Sequence, residues 1–215
     1  MEEGVAARAR RAWLIGGVLL IVATVLGLVL SPAGLGIVGD LVFAAALLVF
    51  AFGIRGAGSV TARRPLGTTA LTILAVWTVV GSALIDVLVT GGFGLQVVTD
   101  SGTGTAPLLV LSLVDVGIQF TASLIAVVQI ARAGVVPRPW NWAPAWALAA
   151  ISIPWIIDRI LFVSPPVDVG AWGYILSSLD GLVRIGAGIF LGTLAIVLAS
   201  IGSRSRAVPV YPAQS

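Results

Sequence analysis

The chain has 215 residues, 59% of them hydrophobic and only 10% charged, with a mean hydropathy of +1.11 and a formal net charge of +3. Soluble domains carry roughly 25% charged residues, so this composition excludes an ordinary soluble domain and points to lipid. With no cysteine and no histidine, disulfides, thiolate nucleophiles, imidazole bases and the common transition-metal ligands are excluded as well.

Six apolar segments, each roughly 18–25 residues long, read as spanning helices. In chain order they are about Trp13–Leu30, Gly36–Ile54, Gly67–Thr90, Ala106–Ile130, Ala143–Val163 and Trp172–Ile201. The last is long enough to tilt or to emerge on one side. The expected fold is an all-α polytopic membrane protein with six transmembrane helices. Residues 1–203 form one bundle, divisible into hairpins 13–54, 67–130 and 143–201. Residues 204–215 form a tail expected to be disordered and cytoplasmic.

Orientation follows from the arginines, which are all twelve of the basic residues. Arg8, Arg10 and Arg11 precede span one. Arg55, Arg63 and Arg64 follow span two, Arg132 and Arg138 follow span four, and Arg204 and Arg206 follow span six. The alternate loops, around Ser31–Leu35, Gly91–Thr105 and Ser164–Ala171, carry none. The positive-inside rule then puts both termini in the cytoplasm. Trp13, Trp140, Trp142, Trp146 and Trp172 fall near the expected interfaces, as an aromatic belt would place them. The Arg8–Arg11 cluster suits anionic headgroups, at about 1 kcal/mol per arginine near the surface. Its position beside a span accounts for the pI near 10.6 without nucleic acid.

A cleaved signal peptide competes for the first segment. Its apolar run exceeds the usual h-region of about 7–15 residues, and SPAGLG offers no clear cleavage site, so a retained span is expected. The richness in Ala, Gly and Val with arginine and no lysine fits a GC-rich bacterial genome, hence a bacterial plasma (inner) membrane.

Ionisable residues inside spans are functional hypotheses by default, because a central charge costs about 2.5–3.5 kcal/mol even on the insertion scale. At 1.5 Å per residue, Asp115 and Asp180 lie roughly 12–14 Å inside their spans and Arg184 about 18 Å. Asp86, Asp158 and Arg159 are shallower and able to snorkel, so they are secondary candidates. Asp40 is equally shallow. Asp180 and Arg184 are i and i+4 and share a helix face, which continues into Gly188 and Gly192, a GxxxG suited to close helix packing. Span four presents Ser112, Asp115, Gln119, Ala122, Ser123 and Ala126 on one face. Spans four and six are therefore expected to face each other, gathering Asp115, Gln119, Asp180 and Arg184 into one intramembrane cluster. Pro154 in span five removes the helix donor to Ala150 and is expected to bend that span.

Asp40, Asp115 and Asp180 recur in the outer half of each returning helix, which hints at a hairpin repeat; chance similarity in low-complexity apolar sequence is the competing reading. All seven aspartates fall in the outer half or the outer loops, so the outer surface should be electronegative.

Two motif matches fail on context. GLGIVG, Gly34–Gly39, fits the dinucleotide pattern but follows no strand; its glycines suit a tight turn. VTDSGT, Val98–Thr103, resembles half of an aspartic-protease signature, without the second aspartate or a β-rich scaffold. No catalytic residue, metal site or cofactor site is expected.

Three function classes remain, of which an intramembrane enzyme is the least supported. One is a non-enzymatic membrane component that binds or regulates another membrane protein through its helix faces, or packs against a second copy. The alternative is a small proton- or cation-coupled transporter using the intramembrane Asp and Arg. The chain is short for an autonomous transporter and lacks a clear pair of broken helices, which favours the first.

Overall fold

A computed structural model of the chain describes residues 2–90, 106–163 and 169–201. The expected tail 204–215, the VTDSGT stretch and most of the two longer arginine-free loops lie outside these residues. Among the described residues every named element is helical: α1 (Glu2–Leu30), α2 (Gly36–Phe52), α3 (Pro65–Thr90), α4 (Ala106–Ala133), α5 (Ala143–Val163) and α6 (Val169–Ile201). These six helices fall on the six apolar segments. Four of them, α1, α3, α4 and α6, contain stretches long and apolar enough to cross a membrane, and α2 is a shorter apolar helix. α1 begins eleven residues before the expected span, because Glu2–Ala12 continues the same helix.

Each helix packs against its chain neighbour, and α6 returns to pack on α1. α1 thus lies between α2 and α6. α4 touches α5 over a small area only, and α4 makes no close backbone approach to α6 among the described residues.

The packing inverts the pattern of a soluble bundle. The buried residues are mostly alanines, such as Ala23, Ala46, Ala75, Ala126 and Ala195, whereas Val18, Val29, Ile73, Val114 and Leu182 point outward and exposed. Small residues let helix backbones approach where no water-driven force pushes them together, and large apolar side chains are left to meet lipid. Between α1 and α2, a Cβ on Gly39 would lie 2.9 Å from the backbone nitrogen of Gly27. The GLGIVG stretch supplies this contact and the turn before it. Gly34, at φ +74°, closes the short 3-10 turn Ser31–Ala33 by donating to the Ser31 carbonyl, and α2 starts at Gly36.

The arginine-bearing connection between α2 and α3 is folded rather than loose. Gly53, at φ +68°, ends α2 where a side chain would strike the Ala57 carbonyl. Ser59 and Thr61 turn inward, Thr61 with 0% exposure. The Ser59 hydroxyl donates to the Ala51 carbonyl at 2.6 Å, so Thr61 Oγ1, 3.1 Å away, is the donor to Ser59. Arg63 N–H also donates to Ser59 Oγ. Trp13 of α1 donates its indole N–H to the Gly58 carbonyl at 2.8 Å. This network holds Arg55, Ala62 and Arg63 at φ of 49°, 50° and 58°, a region non-glycine residues seldom adopt.

Candidate functional site

The expected four-residue cluster is two separate groups among the described residues. The first lies between α3 and α4. Asp115 Oδ1 accepts the Trp77 indole N–H at 2.8 Å, and both carboxylate oxygens lie 3.0 Å from Gln119 Nε2. Asp115 and Gln119 are one turn apart on α4, so a single helix face presents acceptor and donor. Gly81 makes room: a Cβ there would come within 3.1 Å of Asp115 Oδ1 and 3.2 Å of Trp77 Nε1. The mid-span Trp77 was the readable signal for this partner, because a buried indole N–H needs an acceptor and nothing nearby on its own helix supplies one.

The second group is on α6. Arg184 Nε donates to Asp180 Oδ2 at 2.7 Å within one helix face. The Arg184 side chain is 55% exposed and that of Asp180 30%. Asp180 Oδ1 is buried without a hydrogen-bond partner. Among the described residues the pair is not matched by α4, to which α6 makes no close backbone approach.

Helix register also sets where this pair lies along the bundle. Gly192 meets α1 at Gly17 and Ile21: a Cβ on Gly17 would lie 2.6 Å from the Gly192 carbonyl, and one on Gly192 2.8 Å from that of Gly17. Gly188 lies directly on the Thr24 side chain, whose hydroxyl turns back to the Leu20 carbonyl. The two helices are antiparallel. Continuing the same register brings Arg184 level with the last turn of α1 and Asp180 level with the Ser31–Ala33 turn. Relative to the α1–α2 hairpin the pair therefore lies level with its turn, although it is roughly 12–18 Å along its own span at 1.5 Å per residue. The apolar run of α6 showed its length but not its stagger.

Gly188 and Gly192 are thus occupied by α1 of the same chain. Asp86 lies on α3, and Asp158 and Arg159 lie on α5; their side chains are outside the described residues, as is that of Ser112. Pro154 is buried within α5, and Ser152 turns its hydroxyl back to the Leu148 carbonyl.

No family model matches this chain, and no curated protein or solved structure matches it either. The site must be read from its own chemistry. Among the described residues no group of three or more Asp, Glu, His or Cys gathers to hold a metal ion. What the arrangement offers is one acceptor fixed between two helices, and one polar handle on the outside of a third.

Proposed function

We propose that the chain crosses a bacterial plasma membrane six times with both termini in the cytoplasm. In this reading it is a non-enzymatic component that binds or regulates another membrane protein through its helix faces. The inverted packing supports the membrane setting, as do exposed Trp140, Trp142 and Trp146 clustered beside Arg138, an arrangement suited to an interface. The orientation rests on the arginine asymmetry.

One observation carries the partner reading: the Asp180–Arg184 pair on α6. The Arg184 guanidinium is left half-exposed on an apolar helix, level with the α1–α2 turn, as a polar handle beside the bundle. A polar group on a second membrane protein would pair with that guanidinium. Exposed Ser177, one turn away, extends the same polar strip. The alternative of ion-coupled transport is less well supported, because Asp115 is held by Trp77 and Gln119 and α4 and α6 stay apart.

The test is purification of the tagged chain from native membranes, as wild type and as Asp180→Asn with Arg184→Gln. The expected result is a stoichiometric membrane protein with the wild type and its loss with the double variant. Purification of the chain alone, together with Asp115- or Asp180-dependent ion flux in liposomes, would favour transport instead.

A further inference from the structure

Between α3 and α4 runs an open groove of about 530 Å³. That volume lies in the range of about 300–1,000 Å³ common for ligand sites. Its floor is small, made by Ala70, Gly117 and Ala122, and its walls are apolar, among them Leu66, Ile73 and Ile118. On α3 it ends at Ile73, one turn short of Trp77, and on α4 it reaches Val114, next to Asp115. At its other end the antiparallel register is fixed by Gly67, whose Cβ would lie 3.0 Å from that of Gln129.

Arg64 lies three residues before Gly67, and Arg132 three residues after Gln129. Both are exposed, and both lie at the same mouth of the groove. Arg132 continues the Ile118–Ile125 face at seven-residue spacing. α3 also starts here, with its positive dipole end toward the mouth. The acids of α3 and α4 are Asp86 and Asp115, both toward the opposite end.

We propose that this groove holds an acyl chain of an anionic phospholipid whose headgroup phosphate lies between Arg64 and Arg132. The charge complementarity selects the occupant. An apolar channel alone would take any chain, but two arginines at its mouth, with no ion pair among the described residues, discriminate for a negative headgroup. The groove runs about 10 Å from Leu66 to Ile73 at helical rise, within one leaflet of a hydrocarbon core about 30 Å thick. The site is distinct from the Arg8–Arg11 cluster, which lies on α1. It requires a bilayer setting but not the partner reading above.

The open space at Gly117 provides a clean test, because a Cβ there meets nothing within 4 Å. The purified full-length chain is delipidated in detergent and titrated with phosphatidylglycerol or phosphatidylcholine of identical acyl chains, with bound lipid counted by native mass spectrometry. The wild type should prefer phosphatidylglycerol, by about fivefold for each arginine engaged. Arg64→Gln with Arg132→Gln should abolish the preference while chain binding persists. Gly117→Leu should weaken both lipids, and Gly117→Ala, at least as stable as the wild type, should weaken neither strongly. Equal binding of the two lipids by the wild type would overturn the proposal. So would undiminished binding by Gly117→Leu, competition by soluble glycerol phosphate, which would mark a free-anion site, or a change of oligomeric mass alone, which would make the groove a contact between copies.

Discussion

Trp77 and Asp115, 38 positions apart in the chain, share a 2.8 Å hydrogen bond that ties α3 to α4. Gln119 completes the arrangement from the next turn of α4. Replacing Trp77 by phenylalanine keeps most of the ring and removes the donor. The expected loss is about 0.5–2 kcal/mol, the span between average membrane hydrogen bonds and bonds to charged groups. Thermal melting in detergent checks it; an unchanged melting temperature would mean that Gln119 alone satisfies the carboxylate.

The space around that bond makes a paired prediction. Gly81→Ala would press on both Asp115 and Trp77, whereas Gly117→Ala meets open space. Alanine is favoured over glycine in a helix by roughly 1 kcal/mol. Gly117→Ala should therefore raise the melting temperature and Gly81→Ala should not. Equal gains would show that the carboxylate and indole move aside at no cost.

At the α1–α6 contact the backbones approach through Gly17 and Gly192. Gly192→Leu cannot be accommodated by rotating a side chain, because the obstacle includes a main-chain carbonyl. Overpacking of this kind costs about 1–3 kcal/mol. Melting should fall by that amount, and Gly186→Leu, where a Cβ meets nothing within 4 Å, should be close to neutral.

For the α2–α3 connection, Ser59→Ala removes the donor to the Ala51 carbonyl and the acceptor for Thr61 and Arg63. A buried group left unsatisfied costs about 1–3 kcal/mol. The loop should then open, and trypsin should cut faster after Arg55 and Arg63 while the helices persist. Unchanged cutting would mean that the Trp13 bond to Gly58 holds the loop by itself.

Helix positions were legible in the sequence because a span needs a long uncharged run, and six such runs are separated by glycine, proline and arginine. Pairings between helices were not. Asp115 and Asp180 look alike on a helical wheel, both followed four residues later by a polar partner. Yet Asp115 is bonded across to α3, and Asp180 is bonded only along α6. Periodicity gives the face of a helix but not which helix it meets, so the expected meeting of α4 and α6 had no local signal to correct it. The GxxxG at Gly188 and Gly192 identified a close-packing face but not its partner, α1. The buried Ser59–Thr61 turn was hidden in a stretch that composition marks as a loop.

Every functional statement above rests on the six-span arrangement with the arginine-bearing end inside. The chain contains no cysteine, so single cysteines report position without background. Ser31→Cys, in the turn between α1 and α2, and Arg138→Cys, between α4 and α5, would be labelled in intact cells with a membrane-impermeant maleimide. The account predicts labelling of Ser31→Cys in intact cells, and of Arg138→Cys only after the membrane is opened. The reverse pattern, or labelling of both in intact cells, would contradict it.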